Sequence, residues 1–134
     1  VGYYVRYEYN GGTRRLNFTR AKHGVADNAC FISATLGTTN WTHIALTWDG
    51  STVRGYTGGT EGCTVASSGS GATDSTLTNR FAILSSDNGY APGSWLSGIV
   101  DDMAVFNRQL TATEILDIYT GPAAAGEEVI IIFE

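Results

Sequence analysis

The sequence predicts an all-β fold with one short helix near 112–119. Three observations lead there. Charged residues make only 16% of the 134, while Gly alone numbers 17, and Thr, Ser and aromatic residues are frequent, a balance that favours strands and turns. Apolar and polar residues alternate with a period of two along most stretches, as on a half-buried strand. A single helical stretch carries both start and stop signals, which marks it as short and isolated.

The length suits one domain, 1–134, with enough chain for a real core. A formal charge of −5 argues against a nucleic-acid partner, which would want a basic face. No apolar run approaches the roughly 18 residues of a membrane span, so no membrane insertion is expected. Val1 opens directly into a strand pattern, and the chain is expected to be a mature or excised part of a larger protein.

Taken in order, Tyr3, Val5, Tyr7 and Tyr9 share one face of the first strand, with Tyr4, Arg6 and Glu8 on the other. Asn10-Gly11-Gly12 supplies the positive φ angles of a tight hairpin. Leu16 and Phe18 alternate with Arg15, Asn17 and Thr19 on the return. A polar loop is expected over 22–28, then a third strand in which Cys30, Ile32, Ala34 and Leu36 share a face. The stretch 41–49 is the clearest strand, with Ile44, Leu46 and Trp48 opposite His43, Ala45 and Thr47. Asp49-Gly50 turns the chain into a strand over 53–57. The Gly-, Ser- and Thr-rich run 58–75 reads as a surface connection with one short strand around 63–66. Strands are expected again at 81–84 and 96–106.

The helix follows from its ends. Thr111 and Glu114 make a T-x-x-E capping box, and Leu110 with Ile115 a hydrophobic staple. Gly121, expected in the left-handed conformation, and Pro122 close it. Ile115, Ile118 and Tyr119 are expected to face inward. Beyond a 123–126 spacer, Val129-Ile130-Ile131-Ile132-Phe133 is apolar on both faces and flanked by Glu127, Glu128 and Glu134. That strand is expected to fill a sheet position in its own molecule or in a neighbour, which gives a route to homo-oligomers.

Two passages carry a family resemblance. NWTHIALTWDGSTVRGYTGG resembles the central hairpin of laminin G-like domains, and LSGIVDDMAVFNRQLTATEILDIYTGP resembles their closing strand and helix, an ending that pentraxins share. The resemblance covers roughly 41–122 and implies a concanavalin A-like jelly-roll sandwich of two antiparallel sheets, as in the lectin/glucanase superfamily. Gly55 and Thr57 depart from the pattern by standing where the family has apolar side chains. The family's first strands are expected to be absent, because Tyr3 already looks like a mid-domain strand.

The candidate chemistry is sparse. Asp101 and Asp102 are the only adjacent carboxylates within an expected strand, and neighbours on a strand point to opposite faces, so they cannot share one glycosidic bond. The related glucanases carry an E-x-D-x-x-E pattern that this chain lacks. No enzyme activity is therefore expected, and Asp101 is read as organising a turn. His23 and His43 are far apart and lack metal-ligand spacing; His43 is read as packing on the sheet. The loop 85–95 offers Asp87 and Asn88 as hard oxygen ligands for calcium and Tyr90 and Trp95 as rings for sugar faces. The alternative is a solvated loop with Trp95 tucked into the core. It resembles the pentraxin calcium loop in position, although Gly89 stands where an acid would be. Asn17-Phe18-Thr19 and Asn40-Trp41-Thr42 fit the N-glycosylation pattern. Cys30 and Cys63 leave two readings open, a disulfide or two buried thiols.

The function expected is a non-catalytic, glycan-binding recognition module of an extracellular or surface protein. The alternative is a structural or adhesive domain whose partner is another surface protein.

Overall fold

The computed structural model describes residues 2–22, 25–34, 36, 40–67 and 99–121. Its strands are β1 (Gly2–Asn10), β2 (Thr13–Lys22), β3 (Val25–Ser33), β4 (Ile44–Trp48), β5 (Thr52–Thr57) and β6 (Thr60–Ala66), and its helix is α1 (Ala112–Thr120). They form two three-stranded antiparallel sheets, β1-β2-β3 and β4-β5-β6.

Glycine pairs set two of the hairpins. Gly11 (φ 58°) and Gly12 (φ 86°) join β1 to β2, and Gly58 (φ 56°) and Gly59 (φ 73°) join β5 to β6. Two successive positive φ angles match the twist of the flanking strands. The second hairpin corrects the sequence reading: β6 starts at Thr60, straight after the turn, so residues 60–66 of the expected surface connection are strand, longer than the short strand expected around 63–66.

The sheets face each other across Leu16, Phe18 and Cys30 from the first and Leu46 and Val53 from the second. Tyr3, Val5, Tyr7, Ile32 and Trp48 pack around them. Cys30 and Cys63 are joined by a disulfide, Cα–Cα 5.6 Å, that ties β3 to β6. Glycine shapes this interface too. A Cβ on Gly62 would stand 2.6 Å from Ile32 Cδ1, and β6 bulges at that point, with Gly55 opposite Cys63 and Tyr56 opposite Glu61.

The second sheet is covered on both sides. Its far face carries Ala45 and Tyr56, onto which Leu110 and Ile115 close, with Ala104, Phe106 and Ile118 beside them. The capping box is formed: Thr111 Oγ1 accepts from Glu114 N–H at 3.2 Å, and Thr111 N–H donates to Glu114 at 2.8 Å. Tyr119 packs by its ring yet keeps about half its surface exposed.

Three expectations are corrected. Residues 22 and 25–28 are strand, not loop, because the polar Arg20 and Asn28 pair across the ladder. Residues 99–106 carry no strand. Asp102 adopts φ 48° and its N–H turns onto the Asp101 carboxylate at 2.9 Å, which breaks the extended run. Gly121 is not left-handed (φ −34°, ψ 168°); a following proline forces extended ψ on the residue before it, and Thr120 Oγ1 instead donates to the Leu116 carbonyl at 2.8 Å. The expected strand at 81–84 and the C-terminal strand at 129–133 lie outside the described residues.

Candidate functional site

Strand alternation gives the outer face of the first sheet to Arg6 and Glu8 of β1, Arg15, Asn17 and Thr19 of β2, and Phe31 of β3. The register sets Arg6 opposite Asn17, Glu8 opposite Arg15 and Asn17 opposite Phe31. Glu8 is the hub. Arg15 Nε donates to its Oε1 at 2.7 Å, and Arg6 lies 2.6 Å from its Oε2. Burial pushes the Glu8 carboxyl up, but the Arg15 hydrogen bond, the charges of Arg6 and Arg15, and Asn17 outweigh it, so the net shift is downward. The Arg15 guanidinium lies over the Phe31 ring, 3.9 Å from its centroid. Asn17 is only 4% exposed, and its Oδ1 accepts from the Thr19 hydroxyl.

This face is therefore a set of planar polar groups that hold one another still beside a half-exposed aromatic ring. The guanidinium groups and the carboxylate are already fixed, and fixed groups lose little entropy on binding a ligand. Among the side chains described on this face Glu8 is the only carboxylate, and its neighbours favour its ionised form.

One end of the sandwich holds a second polar cluster. Arg20 is 2% exposed, with its guanidinium 4.0 Å from the Trp48 ring centroid and 3.4 Å from the Ser67 carbonyl. Trp48 Nε1 donates to the same carbonyl at 3.1 Å, and Asn28 to the Ser67 hydroxyl at 3.3 Å. Burial excludes ligand here; the cluster anchors β6 where it ends.

His43 lies buried between the β5–β6 hairpin and α1. Its Nδ1 accepts the Gly59 N–H at 3.2 Å, which leaves the proton on Nε2, and its ring centroid is 5.4 Å from that of Tyr119. Burial holds its pKa below the ordinary histidine value. That is a packing role, as its place in the sequence suggested.

The residues proposed from sequence as ligands, Asp87, Asn88, Tyr90 and Trp95, and the calcium ligands among them, lie outside the described residues. Among the described residues no group of three His, Cys, Asp or Glu side chains could hold a metal ion. The Glu8 face was missed because each of its residues, taken singly, reads as the solvated side of a strand. A signal did exist: Arg6, Arg14, Arg15, Arg20 and Lys22 all fall in the first 24 residues, where Glu8 is the only acid, although the chain as a whole is acidic.

Two facing antiparallel sheets and one short helix define a β-sandwich. A family model described as the Concanavalin A-like lectin/glucanases superfamily matches residues 2–116, and the chain belongs to that family. A 2.1 Å crystal structure of an S-layer domain-containing protein (residues 221–444) from Clostridium thermocellum ATCC 27405 has a similar fold. The two share 21% identity with a TM-score of 0.55, over 89% of this chain and 64% of that one. The chain thus spans less than two thirds of that structure's length. Comparison with curated proteins returns no match.

Proposed function

We propose that this domain is a non-catalytic carbohydrate-recognition module of a surface protein. The observation that carries the reading is the Glu8-centred network, with Arg6, Arg15 and Asn17 fixed around one carboxylate beside Phe31. Membership of a lectin/glucanase superfamily supports it, as does the similar fold of an S-layer domain-containing protein. The proposal keeps Asp87, Asn88, Tyr90 and Trp95 as a second ligand-facing set, with calcium at Asp87 and Asn88; alanine substitution and calcium titration test them.

A glycan array with the 134-residue chain tests the main reading. Binding that is lost in Glu8→Gln and Arg15→Ala, with the melting temperature kept within a few degrees, supports it. An array without signal overturns it. A second reading, adhesion to another protein, is favoured by the apolar Ile99, 79% exposed, and the exposed Val105 on the opposite layer. A sizing column distinguishes it, because a stable oligomer silent on sugars points to adhesion.

A further inference from the structure

Tyr9 and Arg14 are direct partners across β1 and β2, one step from the Gly11-Gly12 turn. They therefore stand side by side on one face. The face is that of Tyr3, Val5 and Tyr7, which pack into the core, but Tyr9 is 72% exposed. The end of β3 is held against β2 by the Ala34 N–H donating to the Arg14 carbonyl at 3.1 Å. Between these pieces lies an open hollow of about 490 Å³, lined by Tyr9, Gly12, Thr13, Arg14, Ser33 and Ala34.

The charges of this hairpin are not equivalent. Arg6 and Arg15 share Glu8, and Arg20 is buried in the core cluster. Arg14 is exposed and forms no ion pair among the described residues. Its guanidinium is thus available to an anion, next to a ring whose apolar face is also open.

From this juxtaposition we infer that the tip of the first hairpin binds the anionic group of an acidic saccharide, with Tyr9 covering a sugar face and Arg14 pairing its carboxylate or sulfate. The inference rests on the carbohydrate reading and sharpens it to a charged class and a different spot. A guanidinium matches such an anion bidentately. A tyrosine ring gives contact area at little entropy cost. Among the acids whose side chains are described, Glu8, Asp49 and Glu61 are paired with arginines. Asp101, Asp102, Glu114 and Asp117 belong to the layer on the far side of the second sheet. Packed sheets lie about 10 Å apart, beyond the roughly 8 Å screening length of physiological salt.

The test titrates the 134-residue chain with three hexasaccharides: a carboxylated polygalacturonate fragment, a sulfated heparin fragment and neutral cellohexaose. Binding of a charged probe that weakens with added salt is expected, and the two charged probes separate carboxylate from sulfate. Arg14→Gln should weaken it about tenfold or more, Arg14→Lys less, and Tyr9→Ala measurably. Arg108→Gln, which removes one positive charge from the opposite layer, should leave it unchanged. Tyr9 and Arg14 are exposed, so melting curves of their variants should match the parent. Charged-probe binding that is indifferent to Arg14→Gln overturns the inference. If cellohexaose binds equally well and without salt dependence, the inference fails and the carbohydrate reading stands. No binding to any probe, together with a silent glycan array, removes both.

Discussion

Phe18 of β2 lies directly on the backbone of Gly55 in β5: a Cβ at Gly55 would stand 2.5 Å from Phe18 Cδ2 and 2.9 Å from Cys63 Sγ. The ring occupies the space a side chain would need, so the missing apolar residue at this position leaves no gap. Gly55→Ala is expected to cost about 1–3 kcal/mol through overpacking. Phe18→Leu in the same chain should recover part of that loss. Urea melts of the two single variants and the double variant measure it, and strictly additive losses would show that the two residues do not share the space.

The disulfide between Cys30 and Cys63 closes a loop with a sequence separation of 33 residues. For a loop of that size the chain-entropy account gives about 3–4 kcal/mol of stabilisation. Intact mass under non-reducing conditions should show no free thiol, and reduction should lower the melting temperature. Two alkylatable thiols in unreduced protein would contradict the pairing.

His43 is expected to make the sandwich acid-sensitive. Its pKa is lowered in the folded chain, so the unfolded chain binds more protons below the ordinary histidine value of about 6.5. The stability it contributes is full above that value and falls as pH drops through it. Comparing melting temperatures between pH 5 and 8 for the parent and His43→Gln checks this. Equal slopes in that window would rule His43 out as the cause.

Glu114 works in the opposite sense to a buried acid. Arg108, then the Thr111 backbone and hydroxyl, hold its pKa down to about 2. Its contribution is therefore present above the usual carboxylate range and lost as pH falls from there toward 2. Thr111→Ala, which removes one half of the capping box, should cost about 1 kcal/mol. A loss no larger than that of Thr120→Ala, measured by thermal melts at neutral pH, would count against the cap.

The two Asn-x-Thr triplets are expected to behave differently. Asn40 is exposed and outside any strand, whereas Asn17 sits inside β2 with its amide oxygen engaged by Thr19. In a host that glycosylates such triplets, peptide mass spectrometry should find the sugar on Asn40 alone. Occupancy at Asn17 would mean that β2 is open when the transferase meets it.

The elements with local signals were legible. Asn10-Gly11-Gly12 gave its turn, Asp49-Gly50 its own, and Thr111 with Glu114 fixed the start of α1. The errors came where tertiary contacts decide. Arg20 and Asn28 read as loop chemistry, yet a guanidinium can enter a core when it has an indole to lie on and the Ser67 carbonyl to reach. Residues 101–106 alternate as a strand should, and Ala104 and Phe106 do pack inward. The left-handed turn at Asp102, which no periodicity reveals, interrupts the run. The sheet-face site was illegible because its meaning lies in the register that brings Glu8, Arg15 and Phe31 together. That pairing is invisible until β1, β2 and β3 are aligned.

The Cys30–Cys63 bridge also has a mechanical consequence. Everything from β4 through the start of β6 lies inside its covalent loop. Tension applied at the chain ends would bypass that segment through the sulfur atoms, so roughly 110 Å of extended chain stays hidden from the pull. Under load β4 and β5 can be unseated, but they cannot be drawn out, and a relaxed chain would find them still close to their seats.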